Sequence, residues 1–201
     1  EITTRLVGSE MCIRDSYGIA GRAKVWRILQ REISKVRTDF HPDGLDKYWK
    51  DEDKRYNEDS FRFIRDIETF MKEDFKTKLE QAYGSQWFKR GVPKAVYDKA
   101  NQLASEKNYE ITDASEEYSP WDCLTLIDYR RIATYGSNWR DIFEKYYTKP
   151  GEEKGGNKEA KTEWMQKLER IRNNNFHTYS VKEEEFEFLS ELHKWLIETS
   201  D

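Results

Sequence analysis

The sequence predicts an all-α fold, a helical bundle, and three observations support this prediction. Apolar residues recur every three or four positions in each ordered stretch, which is the pattern of amphipathic helices. No segment alternates apolar and polar residues as a half-buried strand does. Aromatic residues make up 14% of the 201 residues, so the chain has the large apolar side chains that a core needs and a disordered chain lacks.

Composition also narrows the class of protein. The 35 basic and 39 acidic residues give a net charge of −4, which argues against a general polyanion binder but leaves room for a local basic site. No apolar run approaches the roughly 18 residues of a membrane span. Two cysteines, Cys12 and Cys123, are too few for a disulfide scaffold, so we expect a cytoplasmic protein in which Cys123 is a buried apolar residue.

The first 16 residues lack any helical period. Residues 6–16 resemble the conceptual translation of a transposase adapter that is used to fragment DNA for sequencing. We therefore expect residues 1–16 to be disordered and to carry no fold information, and the natural N-terminus to lie upstream in an assembled environmental sequence. A native disordered tail is the alternative.

The following residues, 17–55, are expected to form an N-terminal helical segment with a charged connector. Its helix runs from Ala23 to about Phe40, ends at residues 41–44 (His-Pro-Asp-Gly), and leads into a connector over residues 47–55. A second unit, residues 56–201, starts with the longest helix, from about Asp59 to the residue before Gly84, and Pro93 opens the next helix. The residues expected to face the core are Trp26, Leu29, Ile33, Val36, Phe40, Ile64, Ile67, Met71, Phe75, Leu79, Ala82, Val96, Ala100, Leu103 and Ala104.

The second half of the chain contains four more helices by the same criteria. Residues 119–122 (Ser-Pro-Trp-Asp) are a capping signal for a helix that is apolar nearly all round, so we expect it to be the most buried element. Ser137 or Asn138 caps a short helix, and a solvated loop over residues 149–157 precedes a helix from Glu159 to about Asn175. A capping box at Ser180 opens the last helix. The expected core residues are Trp121, Leu124, Leu126, Ile127, Tyr129, Ile132, Trp139, Ile142, Phe143, Tyr146, Trp164, Leu168, Ile171, Phe186, Leu189, Leu192 and Leu196.

Chemistry-bearing residues cluster at the junction of the last two helices, in the hexapeptide Arg-Asn-Asn-Asn-Phe-His of residues 172–177. The Arg172 guanidinium can hold a phosphate through two hydrogen bonds, and His177 can move protons near neutral pH. RNA can be cleaved without a metal, because its own 2′-hydroxyl attacks the neighbouring phosphate once a base takes the proton. From the residues alone a structural interpretation is preferred, in which Arg172 and the asparagines cap the helix end and His177 packs in the bend.

The hexapeptide resembles the signature of HEPN (higher eukaryotes and prokaryotes nucleotide-binding) domains: an arginine, a polar residue, three residues of any kind, and a histidine. That family places the motif between the last two long helices of a four-helix bundle, where it lies in this sequence. The order of elements is similar to the HEPN subfamily associated with a nuclear mRNA quality-control endonuclease. Similarity covers about residues 56–197, through segments 63–68, 83–88 and 139–143 and the helix that contains Tyr129.

The resemblance implies a HEPN-type four-helix up-down bundle with extra N-terminal and intervening helices. It implies that Arg172 binds the scissile phosphate, that His177 is a general acid or base, and that Asn173 orients His177 or the phosphate. Tyr179 and Arg170 are further candidates for RNA contacts. Members of the family usually dimerise, so that two copies of the motif face one cleft.

The function expected from the resemblance is a metal-independent endoribonuclease or RNA-binding domain in a prokaryotic defence or toxin–antitoxin system. RNA (tRNA or mRNA), a second copy of the chain and an antitoxin or other defence protein are the expected partners, with no membrane, cofactor or metal. The alternative is a non-catalytic dimerisation module beside a separate nuclease, nucleotidyltransferase or ATPase. Nucleotide binding without cleavage is a weaker third hypothesis, because the sequence has no phosphate-binding glycine loop.

The basic residues of the motif helix do not by themselves indicate an RNA site. Acidic residues interleave with them, so we expect an ordinary solvated face. We expect His193, in the last helix, to be a surface or half-buried residue. The basic residues of the motif helix are Lys158, Lys161 and Lys167, and the interleaved acidic residues are Glu159, Glu163 and Glu169.

Overall fold

The computed structural model describes residues 19–37, 44–152, 157–175 and 181–198. Within these ranges the protein is helical and contains no strand, which confirms the all-α prediction. Short 3₁₀ turns (Gly84–Gln86, Ala114–Glu116, Pro120–Cys123) and π-helical turns (Trp139–Phe143, Lys194–Glu198) join or extend the α-helices. In chain order the α-helices of the described part are α1 (Ile19–Val36), α2 (Leu45–Tyr83), α3 (Trp87–Gly91), α4 (Lys94–Asn108), α5 (Leu126–Thr134), α6 (Glu144–Tyr147), α7 (Lys158–Lys161), α8 (Glu163–Asn175) and α9 (Glu183–His193).

Helix α2 is the element around which the others pack. It has 39 residues and is therefore about 58 Å long. Its buried stripe consists of Ile64, Ile67, Met71, Phe75 and Leu79, as predicted, and it packs against α5, α8, α9 and both π-helical turns. Apolar residues of these elements form one large core, and Tyr56, Val181 and Phe186 form a second, smaller cluster. Ala82, which was expected to extend the stripe, is exposed.

The N-terminal part differs from the prediction. Residues 47–55 are not a connector but the first turns of α2, because the run contains no Gly or Pro and its charges pair along the helix, as Lys54 does with Glu58 at 3.8 Å. Helix α1 packs against α9, and its described side chains are at most half-buried: Trp26 and Ile33 are half-buried, while Val36 is 86% exposed. Residues 1–16, Phe40 and the predicted stop at residues 41–43 lie outside the described residues.

The central helix is shorter than predicted, because two capping boxes follow one another. Ser119 and Asp122 form the predicted capping box, but it opens only the 3₁₀ turn Pro120–Cys123. The chain is then extended at Leu124 and Thr125, and α5 begins after Thr125. The Asp128 carboxylate accepts hydrogen bonds from the Thr125 backbone N–H (3.1 Å) and hydroxyl (2.8 Å). The burial predicted for this segment is largely correct: Trp121, Cys123, Leu126, Tyr129 and Ile132 are buried, and Leu124 and Ile127 are half-buried.

The predicted helix around Trp139 begins with a π-helical turn. The Glu144 N–H donates to the Trp139 carbonyl, five residues back, and the extra residue rotates the helix by about 100°. As a result Tyr147 is buried, where the sequence predicts Tyr146, which is 47% exposed. The Tyr147 hydroxyl donates to the Asp74 carboxylate at 2.5 Å, and burial raises the pKa of Tyr147 well above its usual value.

Asn138 is a bridge between three segments rather than a helix cap. It is 1% exposed, accepts from the Tyr83 hydroxyl at 2.6 Å, and donates to the carbonyls of Gly91 and Ile132 at 2.8 Å each. These bonds hold the end of α2, α3 and the end of α5 together.

The last two long helices bury the residues that the sequence predicts, but each begins at a different residue from the one predicted. Trp164, Leu168 and Ile171 of α8 are buried, and so are Phe186, Leu189, Leu192 and Leu196. Thr162 breaks the predicted helix into α7 and α8. Helix α9 begins after Lys182, whose N–H donates to the Glu185 carboxylate at 3.1 Å, while the predicted cap Ser180 lies outside the described residues. In the described part, no helix combines the length and the apolar character that crossing a bilayer requires.

Candidate functional site

The candidate site is built on the last turn of α8. Leu168 and Ile171 bury this helix against the core, and the residue that follows, Arg172, reaches over to α2. The Arg172 Nε lies 3.3 Å from a carboxylate oxygen of Glu68. The Arg172 and Glu68 side chains are 35% and 33% exposed, so the pair is partly screened from solvent but can be reached from outside.

A chain of polar contacts continues from Arg172 along α8. The Arg172 Nη1 donates to the Asn173 amide oxygen at 3.2 Å, and the Asn173 amide nitrogen donates to the Glu169 carboxylate at 3.2 Å. The Asn173–Glu169 bond follows from the i, i+4 geometry of a helix. Arg172 and Asn173, both predicted as site residues, are therefore brought together and are fixed between two carboxylates.

The surroundings of Glu68, which include Glu169 and Arg172, shift its pKa. Burial raises the pKa of Glu68 above its usual value, and nearby Glu169 raises it further, while Arg172 acts in the opposite direction. The guanidinium is therefore paired with an acid, Glu68, that holds its proton more tightly than an ordinary glutamate. Protonation of Glu68 removes the charge that competes with an external anion for Arg172.

This arrangement can recognise an anion but does not present a free cation. A phosphate that approaches Arg172 replaces or shares the contact with Glu68, and the Asn173 amide is the neighbouring polar group. Among the described residues no three His, Cys, Asp or Glu side chains group together as a metal site requires. The arrangement is thus suited to phosphate contacts made through a guanidinium and an amide.

The other predicted site residues are placed differently. His177 and Tyr179 lie outside the described residues. Arg170 is exposed and lines a cleft of about 510 Å³ together with lysines and aromatic residues. Two positions along a helix are about 200° apart, so Arg170 and Arg172 point to different sides of α8. The structure therefore does not bring Arg170 to the motif.

His193, the last residue of α9, is half-buried, as predicted, and it contacts α2 on a face other than that of Glu68. Its Nε2 is 3.4 Å from the Asp66 carboxylate, its Nδ1 is 3.7 Å from Glu198, and its ring is 4.7 Å from that of Phe63. Aromatic and acidic neighbours on several elements hold the imidazole in place. This environment is that of a structural histidine.

Two residues of the cluster, Glu68 and Glu169, were not predicted to be part of the site. The position of Glu169 could have been found, because it lies four residues before Asn173 on the same helix. Glu68 is 104 residues away from Arg172, so no local pattern pairs them; the sequence places Glu68 only on the flank of the apolar stripe of α2.

Comparison with models of protein families, with characterised proteins and with solved structures gives no match. The resemblance to HEPN domains stays a prediction from the hexapeptide and its place in the chain.

Proposed function

We propose that this protein is a HEPN-type RNA-acting domain and that its motif cleaves RNA without a metal. The observation that carries the proposal is the position of Arg172 and Asn173, side by side on the last turn of α8, five and four residues before His177. The segment that contains His177 connects α8 to α9, and both helices pack against α2. A defence or toxin–antitoxin context and an antitoxin partner are part of the proposal through the resemblance alone.

In the proposed reaction His177 removes the proton from a ribose 2′-hydroxyl, which attacks the adjacent phosphorus. The 5′-oxygen leaves with a proton from a second acid, and a 2′,3′-cyclic phosphate remains. Arg172 stabilises the charge that grows on the phosphoryl oxygens, and Asn173 positions the phosphate or the imidazole. In the composite two-fold site that we propose, one protomer supplies Arg172 and the second acid, and the other protomer supplies His177.

The test is cleavage of single-stranded RNA in the presence of a chelator. We expect products with 2′,3′-cyclic phosphate ends, a loss of about a hundredfold or more in rate for His177→Ala, and at least as large a loss for Arg172→Ala. Arg140→Ala is the matched control, because Arg140 is 78% exposed and pairs with its neighbour Asp141 away from the motif. The control is expected to cleave like the wild type.

Loss of Arg172 also leaves Glu68 half-buried without its cation, so a folding defect must be separated from a catalytic one. The double variant Glu68→Gln/Arg172→Ala removes the pair without leaving an unpaired carboxylate. It is expected to melt close to the wild type and to remain inactive. A double variant that cleaves RNA normally would contradict the proposal.

The alternative is a non-catalytic module, and the occupation of Arg172 by Glu68 favours it. Under this alternative the wild type binds RNA or a partner protein without cutting RNA, and the His177→Ala variant binds as well as the wild type. The reading frames beside the gene are a further discriminator, because a neighbouring nuclease, nucleotidyltransferase or ATPase would support the accessory role.

A further inference from the structure

A second basic surface lies on the side of α8 opposite Arg172. A cleft of about 510 Å³ is formed by α7, one face of α8, the chain after α6 and Phe188 of α9. A smaller cleft of about 240 Å³ adjoins it and shares Lys149 and Phe188. Together they make one elongated groove, and we call it the Phe188 groove. Its basic residues are Lys149, Lys161, Lys167 and Arg170.

The charge of this groove differs from that of the chain. Four basic residues face two acidic ones, Glu152 and Glu163, in the larger cleft, and the smaller cleft adds a third acidic residue, Glu191, whereas the whole chain has a net charge of −4. Lys161 is 3.8 Å from Glu144 and is therefore partly neutralised. The remaining cations still give the larger cleft a positive potential, and a concave basic surface on an acidic protein concentrates anionic ligands.

Phe188 organises the cations of the groove. The Lys167 ammonium lies 4.2 Å from the centre of the Phe188 ring, and the Lys149 ammonium lies 5.4 Å from it. Both distances lie within the range of a cation–π contact, so the Phe188 ring attracts both ammonium groups. Phe188 is therefore a positioning residue for a pair of cations that comes from two separate segments of the chain.

Aromatic surface continues along the groove beyond Phe188. Trp195 lines the smaller cleft and Trp164 the larger one, and their rings meet edge to face with centres 5.4 Å apart. Trp195 and Phe188 are half-buried, whereas Trp164 is 4% exposed, so the aromatic surface at the groove comes from Phe188 and Trp195. A groove that combines cations with aromatic rings along its length is the usual design for single-stranded nucleic acid, in which phosphates meet the cations and bases stack on the rings.

We infer that the Phe188 groove binds a single-stranded stretch of RNA outside the Arg172 site. This inference rests on the proposed function, because it identifies RNA as the ligand and the groove as a second contact for the same strand. An acidic peptide would satisfy the lysines but has no bases to stack on the rings. Single-stranded RNA uses both features, so the observations favour it.

The test is binding of a fluorescent 2′-O-methyl oligoribonucleotide of about 12 nucleotides, which fits the usual site sizes and cannot be cleaved. We expect Lys149→Gln/Lys167→Gln to bind on the order of tenfold more weakly. We also expect it to lower the slope of log affinity against log salt by about 1.4, the value for two lost phosphate contacts. Lys76→Gln/Lys89→Gln is the matched control, because both lysines are exposed and neither lines the groove.

A second variant tests the aromatic part without changing charge. Phe188→Leu keeps an apolar side chain against the core and is expected to weaken binding roughly fivefold or more. Unchanged affinity in both variants would overturn the inference. So would equally tight binding of polyglutamate that the RNA cannot displace, which would identify the groove as a peptide site.

The experiments distinguish a wrong inference about the Phe188 groove from a wrong proposal about the function. If long RNA is cut normally by the groove variants while Arg172→Ala is inactive, the groove inference is wrong and the proposed function holds. If the groove variants lose RNA affinity but the wild type cuts no RNA, the groove inference holds and the nuclease proposal is wrong. A wild type that binds no RNA contradicts both.

Discussion

Glu68 is the residue that occupies the Arg172 guanidinium. The two side chains are in contact at 3.3 Å, and burial raises the pKa of Glu68 despite that contact. Burial makes the charged form of Glu68 costly in the folded protein, and Glu68 lies beside Arg172, the predicted phosphate-binding residue. Shifted carboxyl groups are more frequent at functional sites, so Glu68 is the residue whose substitution is most informative.

Glu68→Gln is expected to tighten RNA binding at pH 7. The neutral amide no longer competes for the guanidinium, and the gain is limited to up to about fivefold, since partly exposed ion pairs contribute at most about 1 kcal/mol. The measurement is the ratio of variant to wild-type affinity for the uncleavable oligonucleotide across pH.

The sign of the pH dependence follows from the raised pKa. As pH falls through the pKa of Glu68 in the folded protein, the wild-type residue becomes neutral and the ratio should approach one. The free energy of unfolding of the wild type also depends on Glu68. The folded state holds this proton more tightly than the unfolded state, so acidification through that pKa raises the free energy of unfolding of the wild type relative to that of Glu68→Gln. A ratio that grows at low pH would contradict this role of Glu68.

Packing between elements depends on one glycine that the sequence does not single out. Gly91 ends α3 and is buried, and a Cβ built on it would lie 2.7 Å from Leu79 and 2.9 Å from Tyr83. Leu79 is fully buried in the core, so any movement away from the new Cβ has to displace other core side chains. The Gly91 carbonyl also accepts the hydrogen bond from Asn138 at 2.8 Å, so the short helix is held on both sides.

Gly91→Ala is therefore expected to destabilise the protein, although alanine is the better helix former by about 1 kcal/mol. Overpacking a filled core costs about 1–3 kcal/mol, so the clash should outweigh the propensity gain and lower the melting temperature by several degrees. Lys89→Ala, at an exposed position of the same helix, is the control and is expected to have little effect. Equal or higher stability of Gly91→Ala would show that α3 can shift away from α2.

The elements themselves were predictable to different degrees. Apolar stripes of α2, α8 and α9 repeat over several turns, and all of the residues that this local signal assigned to the core are buried except Ala82, which is exposed. The interruption at Thr125 was missed because two capping boxes follow one another and the apolar period does not show which of them opens the helix. The π-helical turn at Trp139 was missed because one extra residue in a turn leaves no mark on the apolar period. The connector over residues 47–55 was wrong because a charged run without apolar residues in period is compatible with both loop and helix.

For the whole molecule, the sequence predicted the helical class and the apolar core but not the surface arrangement. Arg172, Asn173 and Arg170 are on one helix, yet only the first two share a face, and the cations around Phe188 come from segments that are far apart in sequence. Pairings between distant elements such as that of Arg172 with Glu68 are set by how α8 lies on α2. Such relations need the three-dimensional structure.

The proposed dimer is a property of the whole molecule and can be tested by mixing subunits. In a composite two-fold site, Arg172 of one protomer acts with His177 of the partner subunit. Arg172→Ala and Glu68→Gln/Arg172→Ala retain His177, and His177→Ala retains Arg172, so each inactive variant lacks what the other supplies. A mixed dimer then contains one intact site and one site that lacks both groups.

We expect mixtures of Glu68→Gln/Arg172→Ala with His177→Ala to recover roughly a quarter of the wild-type cleavage rate. Random exchange makes about half of the dimers mixed, and each has one of its two sites intact. Each variant mixed with itself is the control and should remain inactive, and light scattering at tens of micromolar should show dimers in every sample. Dimers that recover no activity would mean that each site takes both residues from a single protomer. Monomers in all samples, with RNA present, would rule out the composite site, because a single chain carries one copy of the motif and cannot place two copies in one cleft.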